Sequence, residues 1–226
     1  MGSERPKRTV RSSGGAMPES PRVQVRARTA DRQAQITQVA LELVAKHGIQ
    51  GVFLSRIAAA IGISDAALYK HFASKDDILI AAHDLLARKV FDWIESFDDS
   101  SILVRFQKIG ESHARLFSKD IAGFNAPMLQ FHVWIPDDRV RAHVDRTHRQ
   151  LMDAFANLLE EGKAQGSVRA DADTELVVSQ LYAWIWWEDL SYLSELDQES
   201  VKKTSADMFG RILQDIAVPE KAADRL

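Results

Sequence analysis

The chain contains no cysteine. That excludes a disulfide framework, thiolate catalysis and thiolate-held zinc, and it suits a reducing cytoplasm. There is no apolar run of about 18 residues, so no membrane-spanning helix is expected. The basic N-terminus is followed by no apolar segment and does not read as a secretory signal. A glycine-rich phosphate loop, a Gly-x-Ser-x-Gly elbow and metal-ligand spacings are missing too. His143 and His148 stand five apart, which does not put both on one helix face, so no metal site is expected. The acidic groups at Glu160-Glu161 and at Asp171, Asp173 and Glu175 read as solvated faces or helix caps. No enzyme and no cofactor is expected. Period-2 alternation, the mark of strands, competes nowhere, and no internal repeat is visible.

What is present is 46% hydrophobic and 27% charged residues, the composition of a globular protein. The net charge of −3 hides an asymmetry. Residues 1–75 hold 12 Lys/Arg against 5 Asp/Glu, a balance of +7. The remainder holds 17 against 27, a balance of −10. A basic head on an acidic body suggests that the head meets a polyanion. Residues 1–29 read as a basic disordered tail, with Pro6, Pro18, Pro21, Gly14 and Gly15 among Arg5, Lys7, Arg8, Arg11, Arg22 and Arg26. The tail is either a solubilising segment or an arm that reaches DNA phosphates or a minor groove.

From about Ala30 the pattern is helical throughout. Ile36, Val39, Ala40, Leu43 and Val44 share one helix face, ended by Gly48. A second helix carries Leu54, Ile57, Ala58 and Ile61 and ends at Gly62. Ser64 caps a third helix bearing Leu68 and Phe72. A fourth runs from about Lys75 to Ser96, and five more are expected near 101–118, 124–134, 137–164, 173–194 and 200–217. The fold class is therefore all-α, with about nine helices. The head spans 30–75 and a larger helical body spans 76–226.

Two short helices joined by a glycine-containing turn form a helix-turn-helix. Ala58 is small enough for close helix approach, and Gly62 can take a left-handed turn. Ile57, Ile61, Ile63, Leu68 and Phe72 fill the inside. Asp65, Ala66, Tyr69 and Lys70 are left outside, on a helix suited to a major groove.

The run Ile57-Ala58, Gly62-Ile63-Ser64, Leu68-Tyr69-Lys70-His71-Phe72 and Ser74-Lys75 resembles the signature of TetR-family transcriptional regulators. The resemblance covers about residues 30–80. It implies a repressor that binds double-stranded DNA as a homodimer on a palindrome, in the cytoplasm. Tyr69 and Lys75 would hold phosphates with His71 as support; Ser64, Asp65, Ala66, Ala67 and Lys70 would lie at or near base edges. Tyr69 could instead cap the core edge, and Asp65 could simply favour the helix N-terminus. One departure stands out: the position where the family often has Thr is Phe53, so Ser55 and Arg56 are the candidates to supply that phosphate contact.

The resemblance also places a dimer interface on the last two long helices, and an effector pocket among the middle ones. Residues 176–193 are apolar nearly all round, as in a helix with core on one side and a partner subunit on the other, or one buried centrally in a monomer. Leu181, Trp184, Ile185, Trp187, Phe209 and Ile212 are the interface candidates. Phe106, His113, Phe117, Phe124, Met128, Phe131, His132 and Trp134 read either as plain core or as the lining of a site for a small hydrophobic or aromatic effector. Two other functions share the same head: a DNA-bound structural or cell-division factor with no effector, and an interaction module that has lost DNA binding.

Overall fold

The computed structural model describes residues 21–117, 126–133, 135, 137–194 and 196–219. Among the described residues there are nine α-helices and no β-strand. They are α1 (Pro21–His47), α2 (Leu54–Ile61), α3 (Asp65–Leu68), α4 (Lys75–Glu95), α5 (Ile102–Phe117), α6 (Ala126–Val133), α7 (Asp138–Gln165), α8 (Thr174–Leu193) and α9 (Gln198–Ile216). A single 3-10 turn at Ile49–Gly51 follows α1. Residues 1–20 of the expected tail lie outside the described residues.

The first helix begins at Pro21, so residues 21–29 are helical rather than disordered. Proline suits a first turn because its missing N–H would be unbonded there anyway. No further glycine or proline interrupts the helix before Gly48. Four of the later helices start on side-chain caps. Ser74 Oγ accepts from Asp77 N–H, Asp137 from Arg139 and Val140, Asp173 from Leu176, and Asp197 from Ser200. Each such cap contributes about 1 kcal/mol.

Two hydrophobic cores organise the helices. The first joins α1, α2, α3 and the front half of α4 through Ile36, Val44, Ile57, Leu68, Ile78 and Leu86. Phe131 of α6, Ile135, and Val140 and Val144 of α7 belong to it as well. The packing of the head thus continues into the body without a break at Lys75. The second core lies in the body, around Phe106, Phe155, Leu159, Leu181, Trp184 and Phe209. Met128 of α6 packs against both cores.

Within one protomer α8 is buried on one side and open on the other. Leu176, Leu190 and Leu193 are 55%, 48% and 40% exposed. At 100° per residue, Leu176, Ala183, Trp187 and Leu190 form one outward stripe. The opposite face, with Val177, Val178, Leu181 and Trp184, is buried in the protomer.

Candidate nucleic-acid interface and internal cavity

Gly62 takes φ 69° and ψ 37°, the left-handed conformation that turns α2 into α3. Ile63 N–H closes the turn onto Ala58 O at 3.0 Å. Ala67 N–H donates to Ser64 Oγ at 3.3 Å, so Ser64 is engaged as a cap. Bonds from Lys70, His71 and Phe72 back to Ala67 and Leu68 continue the coil beyond the four α-helical residues. Ile57 and Leu68 are buried, each contributing about 1.5–3 kcal/mol to the head. Gln33 Nε2 of α1 donates to His71 O at 2.9 Å and ties down the far end of the reading helix.

The outward face carries Asp65, Ala66, Tyr69 and Lys70, all exposed, with Ala67 half-buried beside them. Tyr69 is 56% exposed, so its ring does not cap the core. Ser55 and Arg56 are exposed at the start of α2. Phe53, the departure from the family pattern, is the N-cap of α2 and makes no side-chain cap bond. Its exposed ring is instead a platform for two cations: Arg56 Cζ lies 5.3 Å from its centroid and Lys75 Nζ 5.9 Å. Arg56 also donates to Gly51 O at 3.1 Å. One aromatic ring therefore gathers the starts of α2 and α4 and their basic side chains onto one surface. In the sequence Phe53 stands out only as a departure from the family pattern, because the ring's second partner is 22 residues downstream.

Behind this face, α4 is braced by α7. Arg139 pairs with Asp77 and, with Ser74, holds that carboxyl below the usual carboxylate range. His143 Nε2 lies 2.8 Å from Asp84 Oδ1. The His83 ring meets His143 edge-on at a centroid distance of 5.4 Å and Phe131 edge-on at 5.1 Å. Burial, helped by the neighbouring His143 and His132, pushes His83 down to about 3. His83, Asp84 and His143 come from two helices and meet only in the fold; their ligand atoms lie within 4.8 Å of one another.

A cavity opens where α4, α5, α6, α7 and α8 converge. Trp93, Phe155, Tyr182 and Trp186 form much of its wall, with Met128 at the head side and Asp189 on α8. Its volume is about 50 Å³. His113 lines it and donates to the fully buried Glu188, which also accepts from Ser205 Oγ at 2.6 Å. Burial lowers the His113 pKa against the opposing pull of Glu188. A second chain of contacts runs along the wall. His132 Nδ1 donates to Met128 O at 2.9 Å, and its Nε2 is 3.2 Å from His148 Nδ1. That nitrogen is 2.6 Å from the Tyr182 hydroxyl, whose pKa burial pushes up to about 12.

Of the expected pocket residues, His113 and Met128 line this cavity. Phe106 does not; it is stacked on Phe155 in the body core. Phe131 does not either; it fills the head core at 0% exposure. His132 stands behind the wall, bonded to its neighbours. Phe124 and Trp134 lie outside the described residues, as does the side chain of Phe117. Tyr182, Trp186 and Asp189 were not expected here, because an all-apolar α8 does not reveal which of its faces turns inward. The interface candidates also need correction. Leu181, Trp184, Phe209 and Ile212 are buried within the protomer, Trp184 packing on Phe209 at 4.6 Å, and Ile185 lines the cavity. Of that set Trp187 alone belongs to the outward stripe.

Residues 36–82, which contain this helix-turn-helix, match the family model described as bacterial regulatory proteins, tetR family. The head is a helix-turn-helix of the tetR type, and the match covers residues 36–82. The nucleoid occlusion factor SlmA of Salmonella dublin is 26% identical over 168 residues, 68% of this chain and 79% of that protein. Solved tetR-like structures share the fold. The regulator FadR from Bacillus subtilis, in complex with stearoyl-CoA, has a TM-score of 0.65 at 19% identity, covering 81% of this chain and 98% of that one. A transcriptional regulator from Saccharomonospora viridis, in complex with choline, has a TM-score of 0.66 at 20% identity, covering 84% of this chain and all of that one. Among the described residues, no helix is long and apolar enough to cross a membrane.

Proposed function

We propose that this chain is a cytoplasmic repressor that binds a palindromic operator as a homodimer and leaves it when a small molecule fills the cavity. The observation that carries the reading is the position of Met128, which lines the cavity and packs against the head core. Widening the cavity displaces Met128 and α6. Phe131, on the same helix, then moves within the head core, and α4 transmits the shift to the reading helix. Such a ligand acts only if it prefers the shifted state. The outward stripe of Leu176, Ala183, Trp187 and Leu190 supplies an apolar face for the second protomer. Two solved neighbours hold stearoyl-CoA and choline, chemistries too different to select a ligand here.

DNA binding would rest on phosphate contacts from Arg56, Tyr69 and Lys75, since the reading helix offers only Lys70 as a basic base reader. The test is a salt titration of binding to the DNA flanking the chain's own gene, comparing the intact protein with Tyr69→Ala. Tight, salt-steep binding of a dimer to a palindrome, lost in the variant, supports the regulator; no binding at low salt sinks it. The likeness to a nucleoid occlusion factor favours a second reading, a DNA-bound factor with no effector. A chromosome-wide footprint of many dispersed sites, unmoved by any cavity ligand, would select it.

A further inference from the structure

Asp189 is 5% exposed, lines the cavity, and has a buried Oδ1 with no hydrogen-bond partner. Its neighbour Glu188 is buried as deeply but is bonded to His113 and Ser205. Nothing in the packing of the body accounts for that unpaired oxygen. A carboxylate in an apolar enclosure is costly unless it is paired or protonated. The walls beside it are the aromatic rings of Trp93, Phe155, Tyr182 and Trp186, whose faces carry negative charge density. Among the described residues, no lysine or arginine lines the space. Acid and rings together favour positive charge.

We propose that the cavity is a receptor for a hydrophobic cation, an alkylated ammonium whose charge is met by Asp189 and whose methyl groups rest on the Trp93 and Trp186 rings. The proposal rests on the reading of the cavity as an effector site and names the class of effector. A fully alkylated ammonium fits best, because it asks for no hydrogen bonds that these walls cannot give. At about 50 Å³ the space has room for only a few waters, so an ammonium head must widen it on binding. That widening is the push on Met128 which release from DNA requires. The other titratable groups that face Asp189 are Glu188 and Tyr182 on its own helix and His113 on α5, with His132 and His148 behind Tyr182. Burial and the adjacent Glu188 push Asp189 up to about 8, so at neutral pH the empty site holds a proton that the cation replaces.

The test titrates the intact protein with phenyltrimethylammonium and with tert-butylbenzene, its uncharged isostere, by calorimetry and by fluorescence of the wall tryptophans, and scores release of bound DNA. The cation is expected to bind about tenfold or more tightly than the isostere. Asp189→Asn abolishes that preference and Asp189→Glu keeps part of it. Should Asp189→Asn fail to melt cooperatively, Trp186→Leu takes its place and is expected to weaken the cation more than the isostere. Equal binding of both ligands with release of DNA overturns the cation but leaves the effector reading standing. Binding of neither overturns the cation, and if filling the cavity with Ile185→Trp also leaves DNA affinity unchanged, the effector reading falls with it.

Discussion

Tyr69 is 56% exposed, so its loss forfeits little packing. Tyr69→Ala is therefore expected to leave the melting temperature within about 1 °C and to weaken DNA binding by about tenfold or more, the worth of a charge-assisted phosphate bond. Thermal melts and anisotropy titrations separate the two effects. Asp189 behaves in the opposite way, affecting stability more than surface chemistry. Its folded pKa of about 8 lies above the unfolded carboxylate value, so the folded state holds a proton that the unfolded state has released. The stability this gives is complete below about pH 4 and is lost as pH rises through about 8. Asp189→Asn keeps the neutral form at every pH. Its stability advantage over the parent is expected to grow by up to about 1 kcal/mol per pH unit between pH 5 and 8, read from urea midpoints. Of these two residues the sequence made only the first legible. Tyr69 sits inside a local motif, whereas Asp189 owes its character to four other helices.

The helices themselves were legible because their signals are local: caps, glycine stops and a 3.6-residue period. What the period could not show was the rotation of α8, since a helix apolar all round has no preferred face until its neighbours are placed. Nor could it show that α4 and α7 meet through His83, Asp84, Asp77, Arg139 and His143. That brace makes the helix pair sensitive to acid. Burial lowers His83 to about 3 and also lowers His113, His132 and His148, so the folded state refuses protons that the unfolded chain takes up below about pH 6.5. Stability is expected to fall as pH drops from about 6.5, and His83→Leu is expected to flatten that limb, measured by denaturation at pH 5 and 7. The contact between α5 and α9 depends on a different feature. A Cβ at Gly110 would stand 2.2 Å from Phe209 Cε1. Gly110→Ala must drive the helices apart and is expected to cost about 1–3 kcal/mol, despite alanine's better helix propensity.

Assembly of two protomers would bury the Leu176, Ala183, Trp187 and Leu190 stripe. Leu190→Lys is expected to shift the protein to monomer in sedimentation while each protomer stays folded, because Leu190 is 48% exposed and outside both cores. Operator affinity should then drop by more than any single base contact explains, since each protomer would hold only its own half-site. Met128→Ala tests communication instead of assembly: operator binding is expected to persist while ligand-driven release is blunted. Neither face was visible in composition, because charge asymmetry locates the basic head but is silent on how the acidic body divides its apolar surface. The sharing of one methionine between two cores has a thermodynamic corollary. If occupancy of the cavity weakens the grip on DNA by some factor, DNA must weaken the grip on the ligand by the same factor. Operator-bound protein would then be a poorer receptor than free protein, and the concentration of ligand needed for a response would be set partly by how many operators the cell contains.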